Sequence, residues 1–191
     1  SRNGLPNNTV LGIANDERGN TWLALDIGIG FVADNPNKSF VVKKLPGAGA
    51  IYSTAIFENK LYLGTNQGLF ERSLDLNSDD IKLVPGTQDQ IWDLKVSDDE
   101  LLIGHNQGSF ALRNGEKRAI SSEGGAFNFV QDPFHPDLLL QSTYNRIVVY
   151  NKTNKGIEFR NYIEDFSNLI RYIEFDHLGN IWASHMHRGI F

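Results

Sequence analysis

The chain has 191 residues, of which 40% are hydrophobic and 11% aromatic, enough for one sizeable core, and its 18 basic and 23 acidic residues leave a formal charge of −5. It has no cysteine, which excludes disulfides, thiolate catalysis and zinc–thiolate sites, and no basic cluster beyond Lys43-Lys44 and Lys117-Arg118, which argues against nucleic-acid binding. No apolar run approaches the roughly 20 residues that a membrane-spanning helix needs, so no membrane contact by this segment is expected.

Taken in chain order, the sequence repeats one pattern: apolar strand, tight polar turn, aromatic-apolar strand, glycine. The first copy runs through Val10-Leu11-Gly12-Ile13-Ala14, the turn Asp16-Glu17-Arg18-Gly19-Asn20, the strand Thr21-Trp22-Leu23-Ala24-Leu25, and Gly28. Its four strands read as 10–16, 21–25, 28–33 and 39–45. They are broken at Gly19-Asn20, Asp26-Ile27 and Asn35-Pro36-Asn37, the residues that favour turns. The second copy has Ile51 to Phe57, Glu58-Asn59, Lys60 to Thr65 and Gly68-Leu69-Phe70. The third has Ile91 to Val96, Asp98-Asp99, Leu101 to His105 and Gly108-Ser109-Phe110.

The fourth copy is looser: Phe127 to Asp132 leads to Leu138 to Thr143 across a turn lengthened by Pro133, His135 and Pro136, with Tyr144-Asn145-Arg146 where glycine is expected. The fifth has Leu169 to Phe175, the turn Asp176-His177-Leu178-Gly179-Asn180, the strand Ile181-Trp182-Ala183-Ser184, and Gly189. Its turn restates the first, Asp-x-x-Gly-Asn-x-Trp in both.

Trp22, Tyr62 and Leu102 are spaced by 40 positions, and so are Gly68 and Gly108. A period of about 40–45 residues with several strands per repeat is the sequence signature of a β-propeller blade. The expected fold is all-β, a β-propeller fragment of four complete four-stranded blades plus a partial fifth, in repeats of about 8–45, 46–84, 85–121, 122–164 and 165–191. The pattern stops at Gly189-Ile190-Phe191, inside a third strand, which makes a segment of a longer propeller the expectation. Open terminal blades then predict self-association through propeller edges.

The segments Leu5 to Ile13, Asp16 to Ile29, Leu61 to Phe70, Gly104 to Phe110 and Gly179 to His185 resemble the two-component regulator propeller repeat. Such repeats make up the periplasmic sensor region of hybrid two-component systems from Bacteroides-type bacteria. The resemblance implies a periplasmic sensor propeller that binds oligosaccharides from complex polysaccharides and signals to a histidine kinase. Two alternatives from other classes are a propeller-fold polysaccharide lyase or hydrolase, and a structural or dimerising propeller that binds no ligand. WD-type and sialidase-type propellers fit less well: Trp92-Asp93 occurs once, and Asp16 to Trp22 is one residue too long for an Asp box.

Blade geometry places the loops joining second to third strands, and blade to blade, on one face. These loops carry Asn66, Gln67, His105, Asn106, Gln107, Tyr144, Asn145, His187 and Arg188, and lead into Tyr52, Trp92, Phe127 and Arg171. Aromatic faces beside amides and arginine suit sugar rings, which offer an apolar C–H face and a rim of hydroxyls. Packing between blades is the competing role for Tyr52, Trp92 and Phe127, and turn formation for the amides.

His185-x-His187 could point two imidazoles the same way, but no third ligand completes a set, and no metal or cofactor is expected. Asp79-Asp80 and Asp98-Asp99-Glu100 read as solvated turns. With no constellation for hydrolysis, no catalytic residue is assigned and the segment is expected not to be an enzyme.

Overall fold

The computed structural model describes residues 9–26, 28–35, 40–43, 45, 47–75, 77–78, 80–164 and 166–191. Leu5 to Asn8, Ile27, Pro36 to Ser39, Lys44 and Asp79, which form part of the sequence pattern, lie outside the described residues. The elements are all strands. The first sheet is β1 (Val10–Asn15), β2 (Thr21–Leu25), β3 (Gly28–Val32) and β4 (Phe40–Lys43). The second is β5 (Ile51–Phe57), β6 (Lys60–Thr65), β7 (Leu69–Ser73) and β8 (Ile81–Leu83). The third is β9 (Ile91–Ser97), β10 (Glu100–His105), β11 (Gly108–Arg113) and β12 (Glu116–Ser121). The fourth is β13 (Phe129–Gln131), β14 (Leu138–Ser142), β15 (Ile147–Thr153) and β16 (Gly156–Tyr162). The fifth is β17 (Ile170–Phe175), β18 (Ile181–His185) and β19 (Gly189–Ile190).

In every sheet the strands pair in sequence order. Each is a meander of short antiparallel hairpins, the arrangement a repeat of strand and turn signals dictates. The chain forms two compact units, 1–94 and 95–191, with the division inside β9.

In the first unit the core lies between the first and second sheets. Trp22, Ala24 and Ile29 meet Ile51, Leu61 and Leu63, and Phe31 and Phe70 pack at the edge. Trp22 is 1% exposed and edge-on to Phe31, with ring centroids 4.8 Å apart. Burying each such aliphatic or aromatic side chain contributes about 1.5–3 kcal/mol. Close approach is set by Gly12, where a Cβ would stand 3.3 Å from the Ser53 Cα.

In the second unit one cluster joins the third and fourth sheets through Leu102, Ala111, Phe129, Leu139, Val148 and Tyr150. Another joins the fourth and fifth through Leu140, Ile147, Val149, Ile170, Ile173 and Ala183.

The glycine after the second strand is a backbone requirement. Gly68 and Gly108 have φ of 141° and 146°, a region closed to side chains. A Cβ at Gly68 would stand 2.9 Å from the Thr87 carbonyl, and one at Gly108 2.5 Å from that of Ser121. The fourth repeat dispenses with glycine. Arg146 stands in its place, and Thr143 closes the turn, its hydroxyl donating to the Arg146 carbonyl at 2.7 Å and accepting from the Arg146 N–H at 3.1 Å.

The expectation that Asp98-Asp99-Glu100 is a solvated turn is corrected at its last residue. Glu100 opens β10 and is buried. One carboxylate oxygen accepts from Arg118 Nη2 at 2.8 Å and the other from the Ile157 N–H at 2.7 Å, while Arg118 Nη1 donates to the Ile157 carbonyl. A carboxylate at that depth needs an ion partner and a backbone donor to offset its desolvation, and it has both.

Candidate functional site

The same turn, between second and third strands, is built four times with two chemistries. The Thr65 hydroxyl accepts from the Gln67 N–H at 3.0 Å and donates to the Gly68 carbonyl. His105 replaces it with Nδ1, which accepts from the Gln107 N–H at 2.9 Å. His185 does the same for the His187 N–H at 3.0 Å. An accepting Nδ1 requires a neutral ring with its proton on Nε2. The histidines therefore have a local role as turn caps. The His185 and His187 rings stand 6.4 Å apart, centroid to centroid, and no group of three metal-ligating side chains occurs among the described residues.

In the first unit Tyr52 and Trp92 lie on each other, stacked at 5.2 Å with planes 16° apart. Each spends one ring face on the other and is left half-buried. Asn66 holds the loop entering β5: its N–H donates to the Ala50 carbonyl at 3.1 Å and its Oδ1 accepts from the Ala50 N–H at 2.9 Å. Gln67 contributes its backbone to the Thr65 turn.

In the second unit six of the expected residues come together. The carbonyls of Asn106 and His105 accept from the N–H groups of Gly125 and Ala126, at 2.8 and 3.2 Å. The Tyr144 N–H donates to the Gly124 carbonyl at 3.2 Å, and its hydroxyl donates to Asn106 Oδ1 at 2.8 Å. The Tyr144 ring lies so close over Gly125 (φ 66°) that any Cβ there would collide with it. Phe127 meets the Tyr144 ring edge-on at 5.2 Å and carries the Arg171 guanidinium 4.4 Å from its centroid. Gln107 is exposed at the turn beside them.

Phe127 is itself buried, 4% exposed. At the surface of this cluster stand half-buried Tyr144, Asn106 and Arg171 with exposed Gln107 and Asn145, a set of donors and acceptors around the Tyr144 ring. Expected residues His187 and Arg188 stay in their own exposed turn and do not join this cluster.

Several participants were not anticipated. Ser142 Oγ accepts from the Asn128 N–H at 3.1 Å and donates to the Arg171 carbonyl at 3.2 Å, while Asn128 Oδ1 accepts from the Ile173 N–H at 3.0 Å. The Thr143 carbonyl takes the Ile170 N–H at 3.2 Å. Glu123 faces Arg146 Nε at 3.6 Å and accepts from Asn145 Nδ2 at 3.4 Å. Loops from three successive sheets are thereby bonded into one surface. Its only sequence signal was small polar residues at strand ends.

Three acidic turns have a structural role. Asp16 Oδ1 accepts from the N–H groups of Arg18 and Asn20, and its Oδ2 from Asn20 Nδ2 and Trp22 Nε1. Asp176 repeats this with Leu178, Asn180 and Trp182. In the lengthened fourth turn Asp132 accepts from the N–H groups of Phe134 and His135 and meets His135 Nδ1 at 3.0 Å. Hydrogen bonds from Asn180 and Trp182 hold the Asp176 carboxyl down at about 2. At Asp16 and Asp132 burial pushes the carboxyl upward, but the hydrogen bonds together outweigh it and leave both below the usual carboxylate range.

No protein-family model matches the chain, and no curated protein does. Solved structures do. The chain is similar to the extracellular domain of BT4673 from B. thetaiotaomicron, described in one structure as a hybrid two component system and in another as a one component system. The first match has 19% identity and a TM-score of 0.67 over 95% of this chain and 26% of that one; the second has 18% and 0.68 over 100% and 28%. It is also similar to the WD40 β-propeller domain of Doa1, with 12% identity and a TM-score of 0.65 over 92% of this chain and 62% of that one. The Swd1 β-propeller domain of Myceliophteria thermophila gives 12% and 0.68 over 94% and 67%. These likenesses show a β-propeller fold, and the chain spans about a quarter of the BT4673 domain and under two thirds of the Doa1 domain.

Proposed function

We propose that this chain is part of the periplasmic sensor propeller of a hybrid two-component system, that it recognises an oligosaccharide from a complex polysaccharide, and that it passes the signal to a histidine kinase. The observation that carries the reading is the bonded loop surface of Asn106, Phe127, Tyr144 and Arg171. It offers groups that a sugar can meet: the half-buried Tyr144 ring with its phenol, an amide and a guanidinium. It draws on three successive sheets, so a ligand held there gains contacts to all three and tightens their packing, a binding free energy that a sensor can transmit. The likeness to the extracellular BT4673 domain supports the setting outside the inner membrane. Signalling modules belong to the remainder of such a protein.

The segment acts by binding and not by catalysis. Asp16, Asp132 and Asp176 are engaged by their own turns, and Glu100 by Arg118 and Ile157. Glycoside hydrolysis needs two carboxylates available at one cleft, and these four are already engaged by hydrogen bonds.

Titration calorimetry of the folded chain against a panel of neutral and acidic oligosaccharides tests the reading. At least one oligosaccharide should bind with a dissociation constant below about 1 mM, a free energy of about −4 kcal/mol. Arg171→Ala and Tyr144→Ala should each weaken it at least tenfold while the melt stays cooperative. Binding indifferent to both substitutions, or none across the panel, would sink the proposal.

A further inference from the structure

The last strand of each four-stranded sheet has one edge with no strand beside it. Such an edge is a template for pairing with another chain unless it is short or carries charges, lysine above all, that blunt it. β4 and β8 are only four and three residues long, and β8 carries Lys82. β12 carries Lys117, and its Arg118 is engaged by Glu100. β16 is the longest of the four at seven residues, and it contains no lysine.

The edge of β16 is closed on two sides and open between them. The Ile157 N–H donates to Glu100 at 2.7 Å, and its carbonyl accepts from Arg118 Nη1 at 3.0 Å. Both partners belong to the third sheet, so these Ile157 groups point away from β15. Backbone groups alternate along an antiparallel strand, and those of Phe159, two residues on, point the same way. The ladder then shifts at Arg160, which stands between the pairs Tyr150–Phe159 and Val149–Asn161. Beyond this bulge the Tyr162 carbonyl accepts from Asn161 Nδ2 at 2.7 Å. Phe159 is left with its N–H and C=O directed out of the sheet, and no hydrogen bond reaches them from the described residues.

The side chains around that opening are complementary to themselves. Phe159 is 44% exposed and meets the Tyr162 ring edge-on at 5.1 Å. Glu158 and Arg160 flank it with opposite charges, and neither makes an ion pair with a described residue.

We infer that the edge of β16 pairs antiparallel with β16 of a second copy of this chain, on a two-fold axis at Phe159. The two Phe159 residues exchange their N–H and C=O groups, and their rings meet on one face. Glu158 of each copy then stands opposite Arg160 of the other, at the Cβ separation of about 5 Å of a cross-strand pair. Moving the axis by one residue would set Glu158 against Glu158, or Arg160 against Arg160, so charge fixes the register. The contact is isologous and closes at two copies. Its small size makes it a weak one. It uses none of the residues of the loop surface and stands whether or not a sugar binds there.

Sedimentation equilibrium of the folded chain tests it. The average mass should rise towards that of a dimer, and no further, as concentration is raised through about 1 mM. Glu158→Arg and Arg160→Glu each place like charges opposite one another, and each should weaken the dimer at least tenfold. Phe159→Asp should do the same. All three side chains reach the surface, and a cooperative melt checks that each variant folds.

An equimolar mixture of Glu158→Arg and Arg160→Glu is the decisive sample. One variant presents two positive charges beside Phe159 and the other two negative ones, so the mixture should form a one-to-one dimer although neither variant pairs with itself. A monomeric native chain, a mass that climbs beyond the dimer, a charge variant that associates like the native chain, or a mixture that stays monomeric would each overturn the inference.

Discussion

The indole N–H of Trp22 donates to Oδ2 of Asp16 at 3.2 Å, so that a tryptophan buried between two sheets has its polar atom satisfied by a surface turn. The turn and the core are thus one unit: the carboxylate that closes the loop also sets the ring.

Asp16→Ala should cost about 1–3 kcal/mol, because it leaves a buried donor unmet. Asp176→Ala removes the same bonds beside a half-exposed Trp182, whose N–H can turn to water, so its cost should be clearly smaller. Chemical denaturation of the two variants measures the difference. Equal losses would mean that the turn, and not the indole, carries the energy.

The same carboxylates set the acid response. Asp176 is held at about 2, and Asp16 and Asp132 below the ordinary value of about 4. Groups with depressed folded-state values bind fewer protons folded than unfolded. Their contribution is whole above pH 4 and is lost as pH falls from there towards 2. A melting temperature followed from pH 5 to pH 2 should fall, and in Asp176→Asn the fall should be shallower. A parallel decline in that variant would assign the acid limb to other groups.

Much of this fold is legible in the amino-acid sequence. The forty-residue step marks the sheets, and the turn residues mark the hairpins, because both are local signals that the backbone must obey. Glu100 is not legible: its partners Arg118 and Ile157 are 18 and 57 residues away, the first two strands across the same sheet and the second on the next sheet. The candidate site is half legible. Loop topology gathers Asn106, Phe127, Tyr144 and Arg171, but how deeply each is buried depends on Arg171 settling over Phe127. The stacking of Tyr52 on Trp92 depends in the same way on packing, which a period cannot reveal.

The Glu100 clamp predicts a graded series. Glu100→Ala strands the Ile157 N–H and the Arg118 guanidinium; since Arg118 is partly exposed, the loss should be about 1–3 kcal/mol, below that for a fully buried pair. Glu100→Gln keeps an acceptor for Ile157 and should lose less. Gly156→Ala should also destabilise, since φ is +107° and the new Cβ would stand 2.5 Å from the Glu100 carboxylate. Urea midpoints order the three. A Gln variant as damaged as the Ala variant would show that charge outweighs geometry.

His105 provides the last prediction, because it separates a ligand-binding histidine from a turn cap. Its Nδ1 accepts the Gln107 N–H where the Thr65 hydroxyl does the same for Gln67. Its ring also lies edge-on to Phe110 at 5.5 Å. If the acceptor is what the fold requires, His105→Thr should retain most of the stability. His105→Ala, which strands the amide and empties a buried site, should cost about 1–3 kcal/mol. Nitrogen-15 spectra of the native ring should show the proton on Nε2, the tautomer an accepting Nδ1 demands. Thr and Ala variants equally unstable would place the role of His105 in its packing on Phe110; a proton on Nδ1 would remove the cap altogether.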